Sequence, residues 1–218
     1  MLPYFQDMSH PIDPPEDLPL FPLQGVILLP GEILPLNVFE PRYLNMLDDV
    51  RRGSGHLGII QSRSGTDLQQ PVLAGTGSVG RLKQWQETGD GRYLISLVGI
   101  SRFRLVREVE RQTPYRVATV DYSLYRDDRL PRAAIEGDHD RLLQLLQAWF
   151  KAEDLTADWD SVRATPLATL VDQLSMSAPF PSDDRQALLE ARGPAQRLTL
   201  ILALLAERIA GEAGGAMH

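Results

Sequence analysis

Apolar residues change their spacing partway along this 218-residue chain. From Leu18 to about Tyr125 they occur in short runs or at alternate positions, punctuated by proline and glycine, as strands require. Beyond about Arg126 β-branched residues thin out, and leucine recurs at the spacing of an amphipathic helix. The pattern predicts an α+β protein: an extended arm over 1–17, a β subdomain over 18–125 and a charged linker over 126–136 broken by Pro131. An α-helical subdomain over 137–210 and a flexible tail over 211–218 complete it.

Within the β part, Val26–Leu29 and Ile33–Val38 read as short buried strands on either side of Pro30-Gly31. Proline presets the first central position of a turn and glycine tolerates positive φ at the second, so a type II turn is expected. Pro41 suits a first helical turn, and Arg51-Arg52-Gly53 marks a helix end. Leu57–Ile60 follows as a strand, and Val79–Glu87 with Arg92–Val98 forms a hairpin around Gly89-Asp90-Gly91. Two more strands carry Phe103, Leu105 and Val109, then Val117, Thr119 and Asp121. Phe21, Phe39, Tyr43 and Phe103 are the expected aromatic core. In the helical part Leu142, Leu145, Leu146, Trp149 and Phe150 share a face. Thr165-Pro166, Ser182 and Gly193-Pro194 mark successive helix starts.

Composition narrows the chemistry. Without cysteine there is no disulfide framework, thiol catalysis or cysteine-bound metal. A net charge of −7 argues against general nucleic-acid binding. The strongest apolar run, Leu198–Leu205, is far short of the roughly 20 residues that span a bilayer. No lysine or arginine precedes Arg42, and no run resembles a signal-peptide core, so a cytoplasmic protein is expected.

Four constellations invite a chemical reading. Gly75–Gly80 matches G-x-G-x-x-G, but a hairpin follows it where the dinucleotide fold needs a helix. Glu136, Asp138, His139 and Asp140 cluster near a helix start, where adjacent side chains diverge, and capping explains the aspartates. There is no G-x-S-x-G elbow or Walker A loop, and Lys83 and Lys151 are the only lysines. These absences point to a non-catalytic chain that needs no cofactor or metal. Finally, residues 75–120 hold eight basic residues (Arg81, Lys83, Arg92, Arg102, Arg104, Arg107, Arg111, Arg116) against four acidic ones (Glu87, Asp90, Glu108, Glu110). That excess reads as strand faces with cross-strand pairs, or as a basic patch led by Arg81, Lys83, Arg92, Arg102 and Arg104.

The run Leu18–Arg42, LPLFPLQGVILLPGEILPLNVFEPR, resembles the opening of the N-terminal domain of Lon proteases. The resemblance continues through Gly99–Phe103, Pro114–Ala118, Leu174–Phe180 with Ser182–Leu189, and Arg197-Leu198 with Leu202, Leu204 and Leu205. It spans nearly all of 18–210 and implies a six-stranded pseudo-barrel of the PUA-like class joined to a helical bundle. It also implies a module that binds and positions proteins without catalysing anything. The Lon ATPase and protease motifs do not appear before the chain stops at His218, so a freestanding adaptor or chaperone-like factor is expected. Protein or unfolded polypeptide is then the expected partner, held at strand edges or in the crease between barrel and helices. Trp85, Met176 and Phe180 are the candidate contacts, chosen as apolar residues near loops. The alternative is RNA binding by the basic 81–116 region, since PUA barrels include RNA binders.

Overall fold

The computed structural model describes residues 13–63 and 71–215, with side chains as far as position 211. The expected arm falls largely on residues 1–12, and the last three residues of the expected tail are 216–218; both lie outside the described residues. Six strands come first: β1 (Asp17–Pro22), β2 (Ile33–Val38), β3 (His56–Ser62), β4 (Leu73–Glu87), β5 (Tyr93–Val109) and β6 (Val117–Asp121). Helix α1 (Pro41–Arg52) lies between β2 and β3, and a 3-10 helix (Ser123–Arg129) follows β6. The helical part is α2 (His139–Ala152), α3 (Trp159–Ala164), α4 (Leu167–Ser177), α5 (Ser182–Glu190) and α6 (Pro194–Gly215).

The strand order is β2-β5-β4-β3-β1-β6, and a β5–β6 pairing closes the sheet on itself. The long β5 makes this closure by pairing β2 with its first half and β6 with its second. Phe21, Leu57, Ile59 and Leu97 fill one side of the barrel interior together with Tyr43, Met46 and Val50 of α1. Phe103, Leu18, Leu20 and Val79 fill the other. The G-x-G-x-x-G stretch lies inside β4, in agreement with the hairpin reading. Its Gly77 is obligatory because a Cβ there would come within 2.6 Å of the Phe103 ring.

The Pro30-Gly31 turn forms as expected, with φ +81° at Gly31 and the Glu32 N–H donating to the Leu29 carbonyl at 3.1 Å. Val26–Leu29, however, is not a strand. Its Ile27, Leu28 and Leu29 are buried and serve different cores: Leu28 enters the barrel, while Ile27 and Leu29 pack with Leu189 of α5 and Met176 of α4. Alternation sends side chains to opposite sides, and here both sides are apolar. Phe39 also departs from expectation, being 60% exposed, whereas Phe21, Tyr43 and Phe103 are buried.

The helices pack around Trp149, Leu142, Val171, Leu188, Ile201 and Leu205. Asp138 caps α2 by accepting from the Arg141 N–H at 2.7 Å, as the capping reading of that acidic cluster anticipates. Thr165 ends α3 and Pro166 precedes α4, one residue later than the sequence suggests, because the Thr165 hydroxyl donates back to the Ser161 carbonyl. α6 runs on to Gly215, past the expected start of the tail.

Candidate functional site

Two concave regions could present a binding surface, and they differ in how their charges are used. The first is a hollow of about 980 Å³ between barrel and helices, bordered by the Pro30-Gly31 turn, the 127–135 segment and the start of α6. Arg102, only 3% exposed, lies beneath it. Its guanidinium meets Asp128 at 2.7 and 2.9 Å and also donates to the carbonyls of Leu189 and Ala191 at the end of α5. Arg132 reaches Glu32 at 2.9 Å, the Pro30 carbonyl at 2.8 Å and Asp172 at 3.1 Å. Asp172 also takes Arg197 Nε at 2.7 Å. Burial pushes the Asp172 carboxyl up and the Arg197 guanidinium down, while their mutual attraction opposes both shifts. At another contact between barrel and helices, Gln61 accepts from the Gly25 N–H at 3.0 Å and donates to the Ser182 carbonyl at 3.1 Å. Within 126–136, Asp128 and Arg132 tie the strands to the helices.

The second region lies on the outer end of the β4–β5 hairpin. Across three strands, Trp85 stands opposite Ile95, which stands opposite Leu36. The next rows are Gln86, Leu94 and Asn37 on one side and Gln84, Ser96 and Pro35 on the other. Trp85 is 41% exposed on the face it shares with Ile95, whereas the similarly open Ile33 and Leu94 occupy alternate positions and lie on the other face. The ring is held from below: the Arg51 guanidinium of α1 lies 3.4 Å from its centroid, and Tyr93 meets it edge-on at 5.9 Å. Two hollows lie on opposite faces of the hairpin here, because alternate strand positions point to opposite sides. One, about 400 Å³, is lined by Asp48, Arg51, Arg52, Gly55, Leu82 and Lys83. The other, about 670 Å³, is lined by Leu36, Leu94, Ile95 and the amides of Asn37, Gln84 and Gln86 without a single charged side chain.

The strand edge beside this face is β2, which among the described residues pairs with β5 alone. The Glu32 carbonyl accepts from the Gly99 N–H, so the even positions of β2 turn towards β5 and Ile33, Pro35 and Asn37 face outwards. Pro35 has no N–H, so the middle of the free edge lacks a donor.

The sequence-derived contacts separate in three dimensions. Trp85 is on this face, Met176 is half-buried in the seam, and Phe180 is a core residue stacked on Trp149 at 6.1 Å. An aromatic near a loop can be buried when the loop folds over a core, and that is Phe180's position. The basic stretch divides too: Arg102 is sealed in the seam, Arg104 pairs with Asp121 at 3.0 Å, and Arg92 with Asp90 at 3.0 Å. Arg104 and Asp121 stand directly opposite on β5 and β6, while Arg111 pairs with Asp17 and Arg116 with Glu108 from just outside the strands. Arg81, Lys83 and Arg107 make no ion pair among the described residues. Arg51 and Arg52 were legible only as a helix end; no periodicity links them to Trp85, which is brought beside them by the barrel.

Residues 17–207 match the family model described as the ATP-dependent protease La (LON) substrate-binding domain. Lon protease 2 of Sorangium cellulosum is 28% identical over 204 residues, covering 89% of this chain and 25% of the relative. Lon protease 2 of Myxococcus xanthus is 27% identical over 201 residues, covering 88% and 24%. The chain thus spans about a quarter of the length of these curated relatives. A crystal structure of a Lon N-terminal domain protein from Xanthomonas campestris superposes with a TM-score of 0.62 at 28% identity, covering 86% of this chain and 97% of that one. The N-terminal domain of a Mycobacterium avium complex Lon protease shares the fold, with a TM-score of 0.61 at 16% identity and coverage of 87% and 98%. Among the described residues no helix is long and apolar enough to cross a membrane.

Proposed function

The chain belongs to the Lon substrate-binding domain family, and we propose that it is a non-catalytic module that captures polypeptide segments on its Trp85 face. The observation that carries this reading is the family match over 17–207. Exposure of Trp85, a flat amphipathic ring pinned by Arg51 beside a basic hollow, supports that choice of surface. Binding uses the sheet face rather than the β2 edge, because Pro35 interrupts the donors that an added strand needs. Arg102, Arg104 and Arg92 are already engaged within the chain, which leaves little of the continuous basic track that RNA requires. The module acts as an adaptor or chaperone-like factor that holds clients without turnover. Fluorescence anisotropy with a labelled unfolded protein and a labelled single-stranded RNA, each at low and high salt, tests it. Micromolar polypeptide binding that weakens on Trp85→Ala is expected. Tight, steeply salt-dependent RNA binding without polypeptide binding would refute it.

A further inference from the structure

We propose that the hollow between barrel and helices binds the C-terminal residue of a polypeptide, its carboxylate at the N-terminus of α6 and its apolar side chain against residues 130–135. The inference takes its ligand class from the polypeptide-binding reading and adds a second site, one that Trp85 does not line.

Four arginines and three aspartates line this hollow. Most of these charges are spent inside the chain. Arg102 is held by Asp128 and two backbone carbonyls, and Arg132 by Glu32, Asp172 and the Pro30 carbonyl. Two arginines keep something in reserve. Arg192 is exposed and makes no ion pair among the described residues. Arg197 is 4% exposed and gives Nε to Asp172 at 2.7 Å, yet its Nη1 has no hydrogen-bond partner among the described residues. A buried donor left unmade is costly, so this guanidinium favours an anion beside it. Because it is shielded from bulk water, solvent weakens that attraction little.

Helix α6 supplies matching donors. Pro194 at its first position has no N–H, and Gly193 before it has no side chain with which to cap. The Arg197 N–H reaches the Gly193 carbonyl at 3.0 Å, but the N–H groups of Ala195 and Gln196 precede the first intrahelical bond. Both residues are exposed and line the hollow. Helical side chains lean towards the N-terminus, which carries the Arg197 guanidinium back alongside this turn. The helix dipole adds to the attraction for an anion.

The rest of the lining decides which anion. Asp127, Asp128 and Asp172 nearly balance the arginines, which suits one negative charge and repels a phosphate dianion or a phosphate chain. Leu130, Pro131, Ala133 and Ile135 add an apolar wall, on which Leu130 is 62% exposed. A C-terminal residue carries one carboxylate and one side chain on the same Cα, so a single residue offers both groups. Backbone N–H groups capture such carboxylates in other recognition sites.

Peptides of one scaffold, labelled at the N-terminus, test the inference by anisotropy: one ends in a free leucine, one in leucine amide and one in a free serine. The free-leucine peptide should bind roughly tenfold tighter than the amide, the factor of one charge-assisted contact, and about fivefold tighter than the serine peptide. Gln196→Glu sets a carboxylate among the donors while suiting a helix N-terminus, and it should close the gap between acid and amide. Arg197→Lys keeps a cation opposite Asp172 while removing Nη1, and it should narrow that gap; unchanged melting temperatures establish that the variants fold. Trp85→Ala should weaken acid and amide by the same factor and leave their ratio unaltered. Equal affinity for acid and amide, or a gap that survives Gln196→Glu, overturns the carboxylate site and leaves polypeptide binding standing. Equal affinity for the leucine and serine ends overturns the apolar wall's part. Competition by inorganic phosphate as strong as by N-acetyl-leucine overturns the preference for a single carboxylate. Failure of every peptide to bind overturns the polypeptide reading, and this site with it.

Discussion

In the seam between barrel and helices, Arg102 and Arg197 are 3% and 4% exposed, and their carboxylate partners Asp128 and Asp172 belong to this chain. On the hairpin face, Arg51 lies against an exposed tryptophan, while Arg52 and Lys83 end in solvent. The two regions use the same kind of side chain for opposite ends. A desolvated guanidinium that loses its carboxylate costs the fold several kcal/mol, so the seam's ion pairs hold the architecture, although Arg197 Nη1 keeps no hydrogen-bond partner among the described residues. Exposed cations contribute little to stability, so those on the face are free to serve recognition. Counting basic residues along the chain therefore overstates what is available to a partner, because burial decides which charges remain uncommitted.

The sharpest break of this contrast is in the seam. Asp172→Ala would leave Arg197 buried opposite no carboxylate, and a loss of about 3–5 kcal/mol is expected from denaturant unfolding. A loss below about 1 kcal/mol would mean that solvent reaches the pair and the seam is not sealed.

At the edge of the seam, Gly31→Val should cost about 1–3 kcal/mol, because a β-branched residue is forced to the observed φ of +81°. An unchanged melting temperature would show that the turn can rearrange without disturbing Arg132, whose guanidinium lies 3.4 Å from where the new Cβ would sit.

A smaller effect belongs to His56, which is 1% exposed at the start of β3, opposite Arg81 and next to Gly55 of the basic hollow. Burial, assisted by Arg81, holds its pKa below the ordinary 6.5. The unfolded chain then binds the proton more readily than the folded one, so His56 makes no pH-dependent difference well above 6.5, and stability falls as pH drops through 6.5 towards the lowered value. Urea midpoints at about pH 7.5 and 5.5 should differ, and His56→Gln should flatten that part of the dependence. A slope identical in the variant would assign it to other groups.

The smallest expected change in stability is for Trp85→Ala. Removing a half-exposed ring and its stacking on Arg51 should cost no more than about 1 kcal/mol, while polypeptide affinity falls at least about fivefold. A variant that unfolds as easily as Asp172→Ala would move Trp85 from the recognition face to the scaffold.

Much of the fold was legible because it follows from local rules. The Pro30-Gly31 turn, the helix beginning at Pro41, the hairpin around Gly89–Gly91 and the Asp138 cap each depend on neighbouring residues. The short α3 was missed, although Asp158 caps it through Asp160 and Ser161, because six residues carry too little periodicity to register. Of the candidate site, Trp85 was found from its apolar character near a turn. Its partners were not, since Arg51 and Arg52 are more than thirty positions away and meet it only through the α1–β4 contact.

By itself, the order of apolar and polar residues determined a β part followed by a helical part, and the order of motifs determined the family. Both depend on spacing along the chain, which is a property of sequence. Only the tertiary structure decided that Val26–Leu29 is a wedge between two cores, that Phe39 is exposed and Phe180 buried, and that Arg102 is an internal tie while Lys83 remains open. The physical reason is that burial depends on what the rest of the chain brings alongside a residue, and desolvation, more than residue type, decides whether an aromatic ring or a charge is spent on folding or kept for binding.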